Sequence, residues 1–283
     1  MQTKEDTMSN VIVFPHCPKT GGTTLKERYR NQNNTFAITD LNHKVNSKTK
    51  VIFGHSVRIG YYENILKNNC VYMTCLRNPI SRIMSMYNFY RTQILYMNPD
   101  SPDIDFYLWF INKDVIRPMQ VTKQYEYYLY QHVDHTNWFA DGTLADPFSI
   151  NDMYSNTVLT WDVEADKSYV DNNKLEERIK HKQQIEQQNM NVTWDQVVNN
   201  FDHVFFQHED IVDIFDDLLI KYNVKMQAWE DMIVTNETKH DLEKHNLEYV
   251  NFYDLDDDLK YLVELDLKAD IEFYDRCEEK WKH

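Results

Sequence analysis

The stretch from Val11 to Leu25, VIVFPHCPKTGGTTL, decides the fold of this chain. It begins with apolar, strand-forming residues that predict a short buried strand. A loop with two prolines, Lys19, Gly21 and Gly22 follows, and a helical pattern starts near Thr24. A strand, a glycine-containing loop and a helix start bring backbone N–H groups together at the positive end of a helix, which is a common cradle for phosphate. The stretch therefore predicts an anion site in an α/β protein.

The place of Lys19 argues against the usual nucleoside-triphosphate loop, G-x-x-x-x-G-K-(S/T), in which the lysine follows the last glycine. Here Lys19 precedes both glycines, and a threonine pair follows them. Gly21 and Gly22 allow the backbone to approach an anion closely. The alternative at this point is an ordinary strand–turn–helix with a surface lysine, because glycine-containing loops often serve only as turns.

The composition sets limits on the class of protein. The chain has 283 residues and a net charge of −15, which argues against general nucleic-acid binding. We expect one α/β domain over residues 1–283. No run of about 18 apolar residues predicts a membrane-spanning helix, and residues 1–10 lack a signal-peptide core. The cysteines have no metal-site spacing and are expected to be incidental thiols; they are Cys17, Cys70, Cys75 and Cys277.

Strand and helix patterns alternate after the opening stretch. Residues 51–55 predict a short strand that ends in Gly54 and His55, residues 61–68 a helix, and residues 70–76 a third strand. Such alternation indicates a mostly parallel central sheet flanked by helices.

A second informative stretch, LRNPISRIMSMYNFYR, follows the third strand from Leu76. Asn78 is a suitable helix N-cap and Pro79 a suitable first helical residue. Arg77 then lies at the carboxyl end of a strand, where open α/β sheets bind ligands. Ser85 falls about two turns into the helix, so the arginine and the hydroxyl can grip one phosphate from two sides. A capped helix with an incidental arginine is the alternative, and Arg82 is either a surface residue or a brace of this site.

Residues 92–200 are the least informative part of the chain. A tyrosine-rich helix is expected at 121–132, with its aromatic side chains in the core rather than on a sugar platform. His132 and His135, with Asp134 between them, lack a further ligand for a metal site. The remaining predicted elements are a buried helix at 105–111, an exposed helix at 174–190, a strand at 201–207, an amphipathic helix at 209–222, a polar loop at 235–240 and a long helix at 254–281.

The two motifs, taken together and in this order, resemble those of sulfotransferases that use 3′-phosphoadenosine 5′-phosphosulfate (PAPS). In that family P-K-(T/S)-G-(G/S)-T-(S/T) binds the 5′-phosphosulfate and L-R-(D/N)-P-x-x-R-x-x-S binds the 3′-phosphate. The nearest group is the carbohydrate class, particularly the uronosyl 2-O-sulfotransferase-like enzymes. The resemblance is clear from Val11 to Arg91 and weak in the C-terminal third. It implies a P-loop-like parallel sheet with a variable acceptor-binding insertion at about 92–200.

The resemblance also implies roles for individual residues. Arg77 and Ser85 would bind the 3′-phosphate, and Lys19 would stabilise the leaving group. His55 stands where that group carries its catalytic base after a glycine; the alternative is a histidine that is simply satisfied at a strand end. Lys239 lies where family members fold a basic loop over the nucleotide, but the stronger basic signature is absent here. The residues expected to hold the 5′-phosphosulfate are Lys19, Thr20, Gly21, Gly22, Thr23, Thr24 and Leu25.

The function implied by the resemblance is transfer of a sulfuryl group from PAPS to an acceptor hydroxyl, with 3′,5′-diphosphoadenosine (PAP) as product and no metal. The expected acceptor is a glycan or small molecule, and a peptide tyrosine stays an alternative. The enzyme would be cytosolic, or the catalytic part of a membrane-anchored protein. One rival is a P-loop nucleotide kinase or NTPase, which needs an acidic magnesium ligand at a strand end. The other is a non-catalytic nucleotide- or glycan-binding module.

Overall fold

A parallel sheet of five strands forms the centre of this computed structural model, in the spatial order β2-β3-β1-β4-β7. A separate antiparallel pair is formed by β5 and β6. The strands are β1 (Asn10–Pro15), β2 (Phe36–Ile38), β3 (Val51–Gly54), β4 (Asn69–Leu76), β5 (Leu159–Asp162), β6 (Lys167–Val170) and β7 (His203–Phe206). The structure describes residues 10–29, 35–38, 45–55, 57, 59–60, 62–66, 69–116, 123–131, 159–162, 167–170, 193–207, 211–226 and 237–281.

Helices cover both faces of the sheet. They are α1 (Gly22–Tyr29), α2 (Tyr62–Leu66), α3 (Pro79–Met97), α4 (Phe106–Ile116), α5 (Gln124–Gln131), α6 (Trp194–Asn199), α7 (Ile211–Lys221), α8 (Glu237–Lys244) and α9 (Asp257–Trp281), with a 3-10 turn at Phe252–Asp254. No helix in the described ranges is long and apolar enough to cross a membrane.

Strand β1 is buried on both faces, as its continuous apolar run predicts. Val11 and Val13 pack in one core with residues of α5, α6 and α9. Ile12 and Phe14 point the other way and pack with residues of α1 and α7. A third core joins α3, α4 and α9 beside the sheet. The loop that follows β1 is therefore attached to a rigid strand that is packed on both faces.

Helix α3 begins as the sequence predicts. The side chain of Asn78 accepts a hydrogen bond from the backbone N–H of Ser81 at 3.1 Å, and Pro79 is the first helical residue. Further along, the buried side chains of Asn88 and Arg91 bond the backbone of Val250 and the carbonyl of Glu248. These bonds fix the segment that precedes α9 against α3.

Several expectations from the sequence are confirmed and a few are wrong. The parallel α/β sheet flanked by helices is confirmed. Strand β2 lies between α1 and β3, where the sequence predicts no strand, and residues 237–240 are helical rather than loop because α8 begins at Glu237. Helix α4 exists, but Leu108 and Ile111 are each 53% exposed because only its other face, with Trp109 and Phe110, enters the third core. The long helix begins at Asp257, after the 3-10 turn.

Some predicted features lie outside the described residues. They include the exposed helix at 174–190, the pair His132 and His135, and most of the insertion at 92–200. The single domain over residues 1–283 stays a prediction.

Candidate functional site

The carboxyl ends of four neighbouring strands meet at one edge of the sheet. The residues that directly follow β1, β3, β4 and β7 are His16, His55, Arg77 and Gln207. Strand β1 lies between β3 and β4: from β1 the chain runs to β2 and β3 on one side, and from β3 it crosses to β4 on the other side. Ligands of open α/β sheets bind outside the carboxyl ends at such a point. The parallel order of the sheet thus brings together three of the regions that the sequence singled out.

The loop after β1 is held in a strained, well-defined shape. Lys19 has a φ of 68° and Gly21 a φ of 94°, both in the left-handed region. Such a φ is unfavourable for lysine, and strain of this kind is often found at functional sites. The φ of Gly21 favours glycine, and a β-carbon there would lie 2.9 Å from Cδ1 of Ile211 and would displace that methyl group. The buried hydroxyl of Thr20 donates to the carbonyl of Cys17 at 2.9 Å and closes the turn.

His16 occupies the centre of this loop and was not singled out by the sequence. Its Nε2 accepts the backbone N–H of Gly22 at 2.9 Å, and its ring stacks on Phe53 with centroids 5.2 Å apart. Burial lowers the pKa of His16 well below its usual value, and the charges of neighbouring basic groups, first His55 and then Arg82, lower it further. The ring is therefore neutral at physiological pH, as an acceptor at Nε2 must be.

The N–H groups of the loop are divided between internal bonds and the site. Gly22 donates to His16, and Thr24 donates to the carbonyl of Gly21 at 3.1 Å. The backbone N–H groups of Thr20, Gly21 and Thr23 make no hydrogen bond within the part of the chain that the structure describes. These three groups, with the exposed hydroxyl of Thr23, are the donors that the loop offers to an anion. The side chain of Leu25 is fully buried in the core, so only its backbone could contribute.

His55 is held in one tautomer. Its Nδ1 lies 2.6 Å from the carbonyl oxygen of His16. Because a carbonyl only accepts, Nδ1 carries the proton, and the lone pair of the neutral ring lies on Nε2. The hydroxyl of Tyr127 lies 2.8 Å from the same carbonyl and 2.7 Å from that of His55, so it ties the ends of β1 and β3 together. The arrangement suits a general base that accepts a proton at Nε2.

Arg77 is fixed by its backbone and has no carboxylate partner among the described residues. The buried side-chain amide of Gln124 accepts from the N–H of Arg77 at 2.9 Å and donates to its carbonyl at 2.7 Å. The guanidinium donates to the hydroxyl of Ser81 at 3.0 Å and to the carbonyl of Lys19 at 3.3 Å. Burial lowers the pKa of Arg77, and no carboxylate pairs with it among the described residues. A cation drawn out of water without a carboxylate favours a bound anion.

Lys19 and Arg77 approach the same face of α3. Ser81, Ser85 and Phe89 follow each other at intervals of four residues, so they lie along one side of the helix. Arg77 contacts Ser81 at one end of this row, and Nζ of Lys19 lies 4.1 Å from the ring centroid of Phe89 at the other. The buried Ser85 lies between the two contacts along the helix. Two cations therefore approach the side of α3 that carries Ser85.

A second layer of polar side chains supports the loop. Arg82 is 2% exposed, and its Nε donates to the carbonyl of Pro18 at 2.9 Å, so it braces the loop rather than facing solvent. Asp270 of α9 is fully buried and accepts the backbone N–H of Tyr125 at 3.0 Å. Burial raises the pKa of Asp270, and the charge of Arg82 opposes that rise. No group of three metal-ligating side chains occurs in the described part of the chain.

Three further residues at this edge were not found by sequence reasoning. Tyr127 was expected in the core, and it is buried there, but its hydroxyl also bonds the two strand ends. Gln124 has no motif around it. Gln207 directly follows β7, and its buried Oε1 has no hydrogen-bond partner among the described residues. The only sequence signal for Gln207 was its position at the end of a predicted strand, because ligands bind at the carboxyl ends of parallel strands.

Replacing Gly22 with alanine is expected to destabilise the protein. A β-carbon at Gly22 would lie 2.2 Å from Nε2 of His16, and that ring is held by the stack on Phe53. Overpacking of this kind costs about 1–3 kcal/mol, which urea unfolding would measure. Thr23→Ala, in the same turn but exposed, is the matched control. The cost of Gly22→Ala should shrink when His16 is also replaced by alanine, and an undiminished cost would show that the ring is not its cause.

No protein-family model matches this chain, and no curated protein is significantly similar to it.

Proposed function

We propose that this protein is a sulfotransferase that moves the sulfuryl group of PAPS to an acceptor hydroxyl, and that its parallel sheet is the P-loop-like sheet of that family. The observation that carries the proposal is Arg77, a half-buried guanidinium without a carboxylate partner among the described residues, next to the loop of Lys19. An anion site in the loop and a second one at Arg77 suit a nucleotide that carries phosphate at both its 5′ and 3′ positions. ATP, with all its phosphates in one chain, has no group for the second site.

The reaction we propose is an in-line displacement at sulfur. The acceptor oxygen forms a bond to sulfur while the bond between sulfur and the bridging phosphate oxygen breaks. The acceptor proton moves to Nε2 of His55, since Nδ1 already carries a proton that it donates to the carbonyl of His16. Lys19 stabilises the charge that gathers on the bridging oxygen, and PAP leaves. The anchors at the loop and at Arg77 hold the donor in line.

The kinase alternative has less support. Lys19 precedes the glycines of its loop, and the residues that directly follow β1, β3, β4 and β7 include no carboxylate to bind magnesium. A thermal-shift comparison of PAP, ADP and ATP with magnesium separates the two functions, because at equal concentration the ligand with the higher affinity stabilises the native state more. Greater stabilisation by ATP than by PAP would overturn the proposal.

The acceptor that we propose is a carbohydrate hydroxyl. Transfer of radiolabelled sulfate from PAPS to a panel of neutral and acidic glycans, simple alcohols and tyrosine peptides tests this choice. Binding of PAP without transfer to any member of the panel would favour a non-catalytic module.

Arg77→Ala is expected to weaken binding of PAP by roughly 10–100-fold, the loss expected when a hydrogen-bonded charge at a phosphate is removed. Binding of 5′-AMP, which lacks the 3′-phosphate, should change little. Calorimetry on both ligands measures the difference, and Arg276→Ala, at an exposed arginine of α9, is the control. Equal losses for PAP and AMP would contradict the assignment of Arg77 to the 3′-phosphate.

A further inference from the structure

We propose that His16 is a positioning residue of this site, which sets the anion loop with its ring and the catalytic base with its backbone carbonyl. The inference rests on the proposed function. His16 is the one residue that hydrogen-bonds both to the start of α1 and to His55 among the bonds of the described chain. The proposed sulfuryl transfer uses its backbone carbonyl but not its ring.

His16 links the start of α1 to His55, and the contact with α1 is made by the His16 ring. Nε2 of His16 accepts the N–H of Gly22, the first residue of α1, at 2.9 Å. N–H groups at a helix start have no partner within the helix, so an outside acceptor fixes their direction. The bond to His16 therefore sets how α1 begins and leaves the N–H groups of Thr20, Gly21 and Thr23 for an anion.

The base side of the link depends on the carbonyl of the same residue. Nδ1 of His55 donates to it at 2.6 Å, and the hydroxyl of Tyr127 lies 2.8 Å away from it. The His16 and His55 rings also lie close to each other, with centroids 4.7 Å apart and planes tilted by 32°. A shift of His16 would therefore move the acceptor that keeps the proton of His55 on Nδ1.

The surroundings of His16 keep its ring able to accept. The groups that act on its charge are His55 from the end of β3, Arg82 from α3, Lys19 from the loop and Lys26 from α1. All are basic, and together with burial they disfavour a proton on the ring. A protonated ring would present a donor to the N–H of Gly22 and would break the link.

Two substitutions separate the acceptor from the shape of the ring. His16→Phe keeps a flat ring for the stack on Phe53 but removes the acceptor for Gly22. His16→Gln places an amide oxygen near the position of Nε2 and restores an acceptor. His203→Phe is the matched control, because this half-buried histidine lies at the start of β7, away from the carboxyl edge, and bonds Tyr222.

The first measurement needs no substrate. Nitrogen NMR of the imidazole rings reports which nitrogen of His55 carries the proton. Every variant at position 16 keeps the backbone carbonyl that accepts from Nδ1 of His55, so we expect the Nδ1–H form in the wild type, in His16→Gln and in His16→Phe. The Nε2–H form or a mixture of both tautomers in the wild type would overturn the role of the carbonyl.

The second measurement is turnover with PAPS. We expect kcat to fall about 10–100-fold in His16→Phe, the loss typical when a side chain that orients a functional group is removed, because the start of α1 loses its acceptor. In His16→Gln, kcat should recover at least half of that loss on a logarithmic scale. KM for the acceptor should stay within a factor of about two, since His16 does not contact it. Equal impairment of the two variants would overturn the acceptor role of the ring. If the wild type binds no PAP, the proposed function fails, while the NMR result still decides the role of the His16 carbonyl.

Discussion

His55→Ala is expected to lower the turnover of sulfuryl transfer by about 10²–10⁴-fold, the contribution of a positioned general base. The expectation follows from the tautomer: Nδ1 of His55 donates to the carbonyl of His16 at 2.6 Å, so the lone pair that can accept the acceptor's proton is on Nε2. Alanine has no group to take that proton. Turnover at saturating PAPS, with labelled sulfate as the readout, measures the loss.

His55→Asn is the matched variant for this prediction. An asparagine amide can still donate to the carbonyl of His16, so the local structure should persist. It cannot serve as a base near neutral pH, so turnover should fall as far as in His55→Ala while binding of PAP stays within about twofold of the wild type. Turnover near that of the wild type in either variant would remove His55 as the base.

The parallel sheet and its ligand edge follow from local sequence. The apolar runs of β1, β3 and β4 are short and continuous, as strands buried on both faces are, and turn or capping residues mark their ends. Asn78 and Pro79 specify the start of α3 through local capping preferences that can be recognised from the residue types alone. The positions of His55 and Arg77 at strand ends, and of Lys19 in the loop after β1, could therefore be predicted from the sequence.

The supporting contacts could not be predicted, because they join residues far apart in sequence. Tyr127 meets a carbonyl 111 residues away and Gln124 bonds a backbone 47 residues away. Hydrophobic periodicity indicates that a tyrosine is buried but not which carbonyl its hydroxyl will find. The hydrogen bond from the Gly22 N–H to the His16 ring could not be predicted either. A glycine pair indicates that another group approaches the backbone closely, but it does not indicate which group.

The errors in the fold have equally specific causes. Strand β2 has three residues, too few for a period-two pattern to emerge from the polar residues around it. Helix α4 contains the apolar run FYLWFI, which suggests burial on all sides, yet only one face meets the third core. Apolar residues are often exposed in folded proteins, so composition alone overstates burial.

Lys19→Ala is expected to lower turnover by about 10²–10³-fold, as the loss of one group that stabilises developing charge in the transition state does. KM for PAPS should rise less, because the loop N–H groups and Arg77 still bind the donor. Stopped-time sulfate transfer at varied PAPS separates the two constants. Lys26→Ala removes a charge from α1, next to the same loop, and should leave turnover within about threefold of the wild type. Equal effects of the two substitutions would mean that Lys19 acts only through the overall positive electrostatic potential of the site.

The backbone at Lys19 sharpens the prediction. A φ of 68° at a residue with a side chain is unfavourable by about 1–2 kcal/mol, and glycine adopts it without that cost. Lys19→Gly should therefore unfold at a higher temperature than Lys19→Ala and yet be equally slow in transfer. A lysine kept at a position where glycine is more stable points to the ammonium as the reason for it, and recovery of turnover in Lys19→Gly would show instead that loop strain, not charge, limits the reaction.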